Sequence, residues 1–329
     1  MDERNGASSA PVDAEDVLDT WNAWAASNAP TSADEGGARA YRAVFFDLDG
    51  TLLPMEIEEF LGTYFKAIGR YVAEQGLDAQ AFSAGFKAGI GAMASHDDGR
   101  TNAEAYWQAF FRHVEGGEEA WTPLLNEFYE RDFGAIGKGV EANPACARAV
   151  ATLAAKGYPL VLATMPMFPH RAVEWRLSWA GVDPARFSRL TSFENSTSVK
   201  PKLAYYAENL AACGLRGADV LMVGNNTVED LAACGLGVDA FLVTDHLLDP
   251  TEGFDLASVK HGSMEAFAAW VETLPPCANP ATGIEAGAVP AEAREAVLAA
   301  DAADGFDAAE ASRIAARAAL GDDAGEARG

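Results

Sequence analysis

The sequence is poor in basic residues. Its 329 residues include 24 lysines and arginines but 49 aspartates and glutamates, which gives a formal charge of −25. A nucleic-acid-binding protein needs a basic surface facing the phosphates, and a protein that binds an anionic membrane surface needs one as well. We therefore expect neither a nucleic acid nor a membrane as a partner.

Cysteines and long apolar runs are also scarce. No stretch approaches the roughly 18 consecutive apolar residues of a membrane span. The chain does not open with a basic segment followed by an apolar run, the pattern of a signal peptide. Four cysteines show neither paired spacing nor a histidine at metal-ligand spacing, which predicts free thiols in a reducing, cytoplasmic compartment. They are Cys146, Cys213, Cys234 and Cys277.

Both ends of the chain are acidic and have few large apolar residues. Residues 1–40 contain 8 acids and 2 arginines, a net charge of −6, and residues 276–329 contain 10 acids and 4 arginines, again −6. We predict a flexible N-terminal arm with one short helix near Trp21 and Trp24 that docks on the body. The C-terminal end is predicted to be a solvated, Ala/Glu-rich, low-complexity tail with almost no apolar face.

The most informative stretch runs from Val44 to Leu53 and reads Val-Phe-Phe-Asp-Leu-Asp-Gly-Thr-Leu-Leu. Its apolar part predicts a parallel strand buried on both faces, and its acids follow at the carboxyl end, where open α/β sheets bind ligands. In an extended chain Asp47 and Asp49 point the same way. Two carboxylates so close repel unless a cation or a proton lies between them. The alternative is an ordinary acidic turn at Asp49-Gly50.

Residues 55–136 show helical periodicity with no strand pattern between the helices. Thr101 and Glu104 form a capping-box pattern at the start of one helix. Gly85 and Gly89 face the same way on another helix and allow close packing. Amphipathic stripes rich in aromatic residues predict a small helical bundle. The four predicted helices cover 56–74, 79–94, a stretch beginning at 101, and 118–130.

An alternation of strands and helices resumes after the bundle. This pattern predicts a doubly wound parallel sheet, an α/β core made of residues 41–54 and 137–275 with residues 55–136 inserted as a cap. The predicted strands after the insertion cover 159–163, 190–193, 220–223 and 240–243, with helices beginning at 143–144 and covering 175–180 and 204–213.

Three further polar positions follow predicted strands or precede a helix: Thr164, Lys200-Pro201, and a Gly-Asn-Asn-Thr-Val-Glu-Asp run that ends at Asp230. Taken singly, each also fits a strand end, a solvated cation or a first-turn helix acid. In this order after Asp-Leu-Asp-Gly-Thr, the set resembles the haloacid dehalogenase (HAD) superfamily over about residues 42–274. The helical insertion is similar to the first class of cap domain in that superfamily, which relatives of phosphoglycolate phosphatase carry. The resemblance implies that the cap is inserted into a Rossmann-like core.

The resemblance implies catalytic roles that also suit the chemistry of the side chains. Asp47 is implied as the nucleophile that forms an aspartyl-phosphate. Asp49 is implied as the acid that protonates the leaving oxygen and then accepts a proton from water. Dehalogenating members generally lack this second acid, so its presence favours a phosphatase. Thr164 would offer a hydroxyl to a phosphate oxygen, and Lys200 a fixed positive charge.

The resemblance also implies a Mg²⁺ site built from Asp47, Asp230 and the backbone carbonyl of Asp49. Asn225 stands where most members have an aspartate that binds the metal, and its amide oxygen would coordinate without a negative charge. The implied function is Mg²⁺-dependent hydrolysis of a small phosphorylated metabolite. The alternative is a catalytically weak or inactive member that binds a phosphorylated ligand or a protein partner. The sequence indicates neither the particular substrate nor an oligomeric state.

A polar loop between cap helices contains Arg100, which is placed to meet a second anionic group if the loop contacts substrate. A solvent-exposed connector is the preferred interpretation of this loop. His170, Arg171 and Lys202 lie near the motifs in sequence, and we expect them on the surface.

Overall fold

The computed structural model describes residues 40–301, and their centre is a six-stranded sheet in which all neighbouring strands are parallel. The strand order is β3-β2-β1-β4-β5-β6, the arrangement of a doubly wound fold. The predicted fold class is therefore confirmed. The strands are β1 (Ala43–Phe46), β2 (Leu160–Leu162), β3 (Arg189–Leu190), β4 (Val220–Gly224), β5 (Asp239–Val243) and β6 (Lys260–Gly262).

The helices fall into two groups. Four belong to the insertion between β1 and β2: α1 (Ile57–Glu74), α2 (Ala79–Ser95), α3 (Asn102–Phe110) and α4 (Gly117–Arg131). The others flank the sheet or follow it: α5 (Pro144–Ala155), α6 (His170–Trp179), α7 (Leu203–Cys213), α8 (Met264–Thr273) and α9 (Ala291–Asp301).

Strand β1 lies in the middle of the sheet and is covered on both faces. Val44 and Phe46 pack with side chains of α5, α6 and α8, whereas Ala43 and Phe45 pack with α7 on the other side. Both faces are buried, so the sequence of this strand shows no alternation. The chain reverses its winding direction at β1 and β4, and a doubly wound sheet binds its ligands at that point.

The insertion is a helical cap with an aromatic core. The capping box of Thr101 and Glu104 is present at the start of α3. A Cβ on Gly89 would lie 2.3 Å from a ring carbon of Tyr106, so only glycine lets α2 approach α3 this closely. On the core side, Asn102 donates to the backbone carbonyls of Pro166 and Ser198, at 3.1 Å each. The cap is therefore tied to the loops that follow β2 and β3.

The prediction of a solvated tail from residue 276 onward is wrong for residues 276–301. Val289, Ala293 and Val297 are buried against α7, and Arg189 donates to the carbonyls of Glu285 and Gly287 at 2.7 and 2.6 Å. Small side chains make this packing possible, because alanines on both α7 and α9 let the two helices come close. Ala293 and Val297, with the partly buried Leu298, form the apolar face of α9 that the sequence appeared to lack.

Two strands also differ from prediction. Strand β3 ends at Leu190 instead of reaching 193, and β6 was not predicted because this short edge strand is exposed and has no apolar run. Within residues 40–301, no helix has the length and apolar character needed to cross a bilayer. The predicted N-terminal arm and the predicted tail beyond residue 301 lie outside the described residues.

Candidate active site

Lys200 connects two buried carboxylates at the carboxyl edge of the sheet. Its ammonium donates to Asp47 Oδ1 and to Asp230 Oδ1, both at 2.7 Å. Burial alone lowers the pKa of Lys200, but the carboxylates of Asp230 and Asp47 outweigh it and raise the pKa well above the usual value. Lys200 is therefore a permanent positive charge between the ends of β1 and β4.

Asp230 is held by donors on both of its oxygens. Oδ1 accepts from Lys200, and Oδ2 accepts from the backbone amides of Asn225 and Asn226, each at 2.9 Å. Burial raises the pKa of Asp230, and the charge of Lys200 opposes that rise. With both oxygens occupied, Asp230 supports Lys200 and shapes the loop after β4.

The side chain of Asn225 is fixed in one orientation. Its Nδ2 donates to the carbonyl of His246 at 2.5 Å, and its Oδ1 accepts from the hydroxyl of Thr51 at 3.1 Å. The same hydroxyl lies 3.2 Å from Asp47 Oδ2. Gly50, at φ +73°, gives the amide its space, because a Cβ there would lie 2.2 Å from Nδ2.

Asp49 has a partner that the sequence analysis missed. Its Oδ2 accepts from the guanidinium of Arg176, which is 1% exposed and stacks against the rings of Phe60 and Phe168 at 5.3 and 4.7 Å. Burial lowers the pKa of Arg176 to about 10, against the raising effect of the Asp47 carboxylate. The two neighbouring acids are thus neutralised separately, Asp47 by Lys200 and Asp49 by Arg176.

A sequence signal for Arg176 does exist. Ala172, Val173 and Leu177 form the buried face of α6, and Arg176 occupies the same face at helical spacing. A charged residue on an apolar stripe requires a buried partner. The sequence does not show that the partner is Asp49, which lies 127 positions away.

Thr164 lies at the end of β2, as predicted, with its hydroxyl buried. Its carbonyl accepts from Thr191 Oγ1 at 2.9 Å and from the hydroxyl of Tyr205 at 2.7 Å, which fixes the backbone. Its own Oγ1 has no hydrogen-bond partner in the structure. A buried hydroxyl without a partner is suited to contact a bound ligand.

Three of the remaining polar candidates have partners outside this cluster. Arg100 is paired with Asp98 in an exposed loop of the cap, and Arg171 is paired with Glu130 and Glu174. Lys202 donates to the carbonyl of Ala94 at 2.7 Å.

The oxygens near Asp47 fit a magnesium ion that has few protein ligands. The Asp47 carboxylate and Asn225 Oδ1 share the Thr51 hydroxyl, so two groups with oxygens suited to a hard cation lie close together. Over residues 40–301, no group of three or more His, Cys, Asp and Glu side chains has metal-binding geometry. Mg²⁺ is commonly held by one or two carboxylates together with substrate phosphate and water. Asp47 and Asn225 satisfy that requirement, with one negative charge.

These residues open onto a single cavity of about 570 Å³ between the core and the cap. Asp47, Asp49, Arg176, Asn225 and Asp230 contribute to one side of its wall. Residues of the four cap helices and of the loop after β2 form the other side.

Comparison with known proteins agrees with this architecture. The haloacid dehalogenase-like hydrolase family matches residues 41–236, more than half of the chain. The chain belongs to this family. Its members generally use Mg²⁺ and are hydrolases. No curated protein matches the chain.

Several solved structures of the same family are similar over most of the chain. A predicted phosphoglycolate phosphatase from Haemophilus somnus is 17% identical, with 71% of this chain and 99% of that chain covered and a TM-score of 0.43. CbbY from Rhodobacter sphaeroides, in complex with phosphate, is 20% identical, with 68% of this chain and 95% of that chain covered and a TM-score of 0.44. An L-2-haloacid dehalogenase is 18% identical, with 71% of this chain and 100% of that chain covered and a TM-score of 0.42. These similarities do not distinguish a phosphatase from a dehalogenase.

Proposed function

We propose that this HAD hydrolase is a Mg²⁺-dependent phosphomonoester hydrolase that acts on a small phosphorylated metabolite in the cytoplasm, through an aspartyl-phosphate. One observation carries the proposal. Asp47 Oδ1 is held by Lys200, whereas Oδ2 accepts a hydrogen bond, among residues 40–301, from the Thr51 hydroxyl alone, and Asp47 lines the cavity. One oxygen is thus fixed and the other is available for attack.

In the first step, a carboxylate oxygen of Asp47 attacks phosphorus, the bond to the ester oxygen breaks, and Asp49 donates a proton so that the alcohol leaves. Lys200 holds Asp47 in position through its hydrogen bond to Oδ1, and a carboxylate nucleophile needs no base. The negative charge that spreads over the phosphoryl oxygens meets Lys200 and the free hydroxyl of Thr164. A bound Mg²⁺, held by Asp47 and Asn225, would neutralise phosphate charge.

In the second step, water attacks the acyl-phosphate and releases inorganic phosphate. Asp49 accepts the proton of this water, and its ion pair with Arg176 keeps it in the ionised form that this role requires. To donate a proton in the first step, Asp49 must be protonated, and its ion pair with Arg176 must then be broken. We therefore propose that the ion pair with Arg176 controls when Asp49 holds a proton.

The direct test is phosphate release from a panel of phosphomonoesters, with Mg²⁺ and with the metal chelated. We expect release that requires Mg²⁺ and that falls by about 10⁴-fold or more in Asp47→Asn, because a neutral amide cannot form the acyl-phosphate. Asp97→Asn, which changes an exposed cap-loop carboxylate, is the matched control and should hydrolyse at the wild-type rate. If folded Asp47→Asn hydrolysed the esters at a near-normal rate, Asp47 would not be the nucleophile.

A second candidate is a member of the fold that binds a phosphorylated ligand or protein partner without turnover. Asn225 favours it, since the site lacks the negative charge that an acid would add for Mg²⁺. The same panel separates the two candidates. Calorimetric binding of a phosphate ester with no phosphate release over many hours would favour the binding protein.

A further inference from the structure

We infer that the substrate carries its phosphate on an apolar alkyl or arylalkyl group; this inference rests on the proposed phosphomonoester chemistry. Most charged side chains of the cavity wall belong to the group around Asp47, where a phosphate would bind, and Glu194 is a further acid in the loop after β3. The opposite side is formed mainly by large apolar side chains, so the two ends of the cavity suit two chemically different halves of one ligand.

The apolar wall comes from several elements of the cap and the loop after β2. Ile57, Leu61 and Phe65 contribute from α1, and Phe86, Ile90 and Met93 contribute from α2. Trp107 of α3, Leu125 of α4, and Met165, Met167 and Phe168 of the loop extend the same surface. Methionine and aromatic side chains adapt to the shape of an apolar ligand and offer it no strong hydrogen bonds.

The polar groups of this part of the wall are few and mostly satisfied. The hydroxyls of Tyr64 and Tyr129 lie 2.6 Å apart and bond to each other, and burial raises the pKa of both phenols, so both are neutral. Only one of them donates within the pair, which leaves one phenolic proton for a ligand. Within residues 40–301, Thr122 Oγ1 is buried without a partner. Asn126 of α4 also lines the cavity. The cap helices therefore offer a ligand few hydrogen-bonding groups: one phenolic proton, the Thr122 hydroxyl and the Asn126 amide.

A sugar phosphate is poorly matched to such a wall. Each of its hydroxyls loses water on entry, and a buried polar group without a partner is costly. Each methylene of an alkyl chain instead gains from burial, by about fourfold in affinity. The wall therefore selects for chain length and against hydroxylation.

The test measures binding of non-hydrolysable phosphonates to the full-length protein by calorimetry. The series methyl-, propyl- and hexylphosphonate shares one head group, and 2,3-dihydroxypropylphosphonate matches propylphosphonate in length. We expect affinity to rise by about tenfold or more from propyl to hexyl, and the dihydroxy compound to bind more weakly than the propyl compound. Equal affinity across the alkyl series, or tighter binding of the dihydroxy compound, would overturn the inference.

Turnover of the corresponding phosphate monoesters tests the proposed function separately. If the alkyl series binds as expected without phosphate release, the hydrolase proposal fails and the ligand class stands. If glycerol phosphate is hydrolysed in preference to hexyl phosphate, the hydrolase stands and the ligand class fails.

One variant pair locates the effect in the cap. Ile90→Asn places an amide in the cavity wall, and we expect it to reduce the hexyl-to-methyl affinity ratio by about tenfold. Leu77→Asn changes an exposed cap leucine outside the cavity wall and should leave the ratio unchanged. Thermal unfolding checks that both variants fold, and the phosphonate series on the unmodified protein decides the inference if Ile90→Asn does not.

Discussion

The two sides of the cavity are built on different principles. On the sheet side, three acids have an assigned cation: Lys200 lies between Asp47 and Asp230, and Arg176 pairs with Asp49. On the cap side, many apolar and aromatic side chains pack together in one cluster. The topology of the sheet thus places the charges of the reaction, whereas the packing of the cap sets the shape and polarity of the space for the rest of the ligand.

The difference has an energetic consequence. Removing one member of a buried ion pair leaves an uncompensated charge, which costs about 3–5 kcal/mol. Removing one of many apolar side chains costs less where the site is already open to a cavity, because less packing is lost. Changes on the sheet side should therefore be severe and specific, and changes on the cap side should be graded.

The largest effect is expected from Lys200→Met. It leaves Asp47 and Asp230 buried without their shared cation, so we expect the free energy of unfolding to fall by about 3–5 kcal/mol. Loss of a fixed charge at the phosphate should also lower kcat by about 10²–10³-fold or more. Urea unfolding and phosphate release measure the two effects.

Lys202→Met is the matched control for this change. Lys202 lies two residues away and donates only to backbone carbonyls of the cap. We expect its stability to lie within about 1 kcal/mol of the wild type, the size of one ordinary hydrogen bond. Equal losses in both variants would mean that the Asp47–Lys200–Asp230 cluster has no special role.

The next effect concerns Arg176→Met, which removes the partner of Asp49 but keeps the contact with Phe60 and Phe168. We expect kcat to fall by about 10²-fold, because Asp49 loses the charge that keeps it ionised for proton transfer. Arg171→Met, five residues earlier on α6, breaks exposed ion pairs worth at most about 1 kcal/mol and should retain activity. If the pH–rate profile of Arg176→Met matched that of the wild type, Arg176 would not control proton transfer by Asp49.

A smaller effect on stability is expected from removing α9, which contacts the loop that precedes Lys200. Arg294 of α9 donates to Thr197 Oγ1 at 3.0 Å, and Thr197 in turn donates to Glu208 at 2.6 Å, three residues before Lys200. A chain ending at residue 275 loses this contact and the buried Val289 and Val297. We expect it to lose about 3 kcal/mol of stability, about 1.5 kcal/mol for each valine.

A chain ending at residue 301 is the control for that truncation, since it keeps every contact that the structure describes. If the chain ending at residue 275 were as stable as the wild type, residues 276–301 would be dispensable for folding.

The comparison of the two sides also explains what could be predicted from the sequence. Strands β1, β2, β4 and β5 were recognisable because they are buried on both faces, and the ends of three of them located Asp47, Thr164 and Asn225. The ion pair of Lys200 with Asp47 and Asp230 follows once these strand ends meet. The magnesium site and the roles of the individual residues remain predictions.

The features that escaped prediction depend on long-range packing. Arg176 pairs with an acid on another element, and nothing local to α6 names that partner. Helix α9 has a narrow apolar face of Ala293 and Val297, which looks weak until the alanines of α7 are placed against it. The cavity wall needs the relative positions of four cap helices, which periodicity alone does not provide.

The smallest predicted effect, on the sheet side, is that of Asn225→Asp. The change adds a negative charge next to the oxygens of Asp47, so we expect Mg²⁺ affinity to rise by on the order of tenfold, or about 1.4 kcal/mol. It also removes the donor to the His246 carbonyl and places a carboxylate oxygen near that carbonyl. We therefore expect the metal-free protein to lose about 1–2 kcal/mol of stability. Mg²⁺ titration by calorimetry, and urea unfolding with and without Mg²⁺, measure the two changes.

Asn226→Asp makes a strict control for this variant because it adds the same charge at the next residue. Asn226 Oδ1 accepts from the amides of Val228 and Glu229, and an aspartate keeps both hydrogen bonds. We expect Asn226→Asp to change Mg²⁺ affinity by less than Asn225→Asp, since its oxygen is already engaged by the loop. Equal gains in both variants would show that Mg²⁺ responds only to the general charge of the loop. A gain confined to Asn225→Asp would indicate that residue 225 contacts the metal directly, because only its side-chain oxygen shares the Thr51 hydroxyl with Asp47.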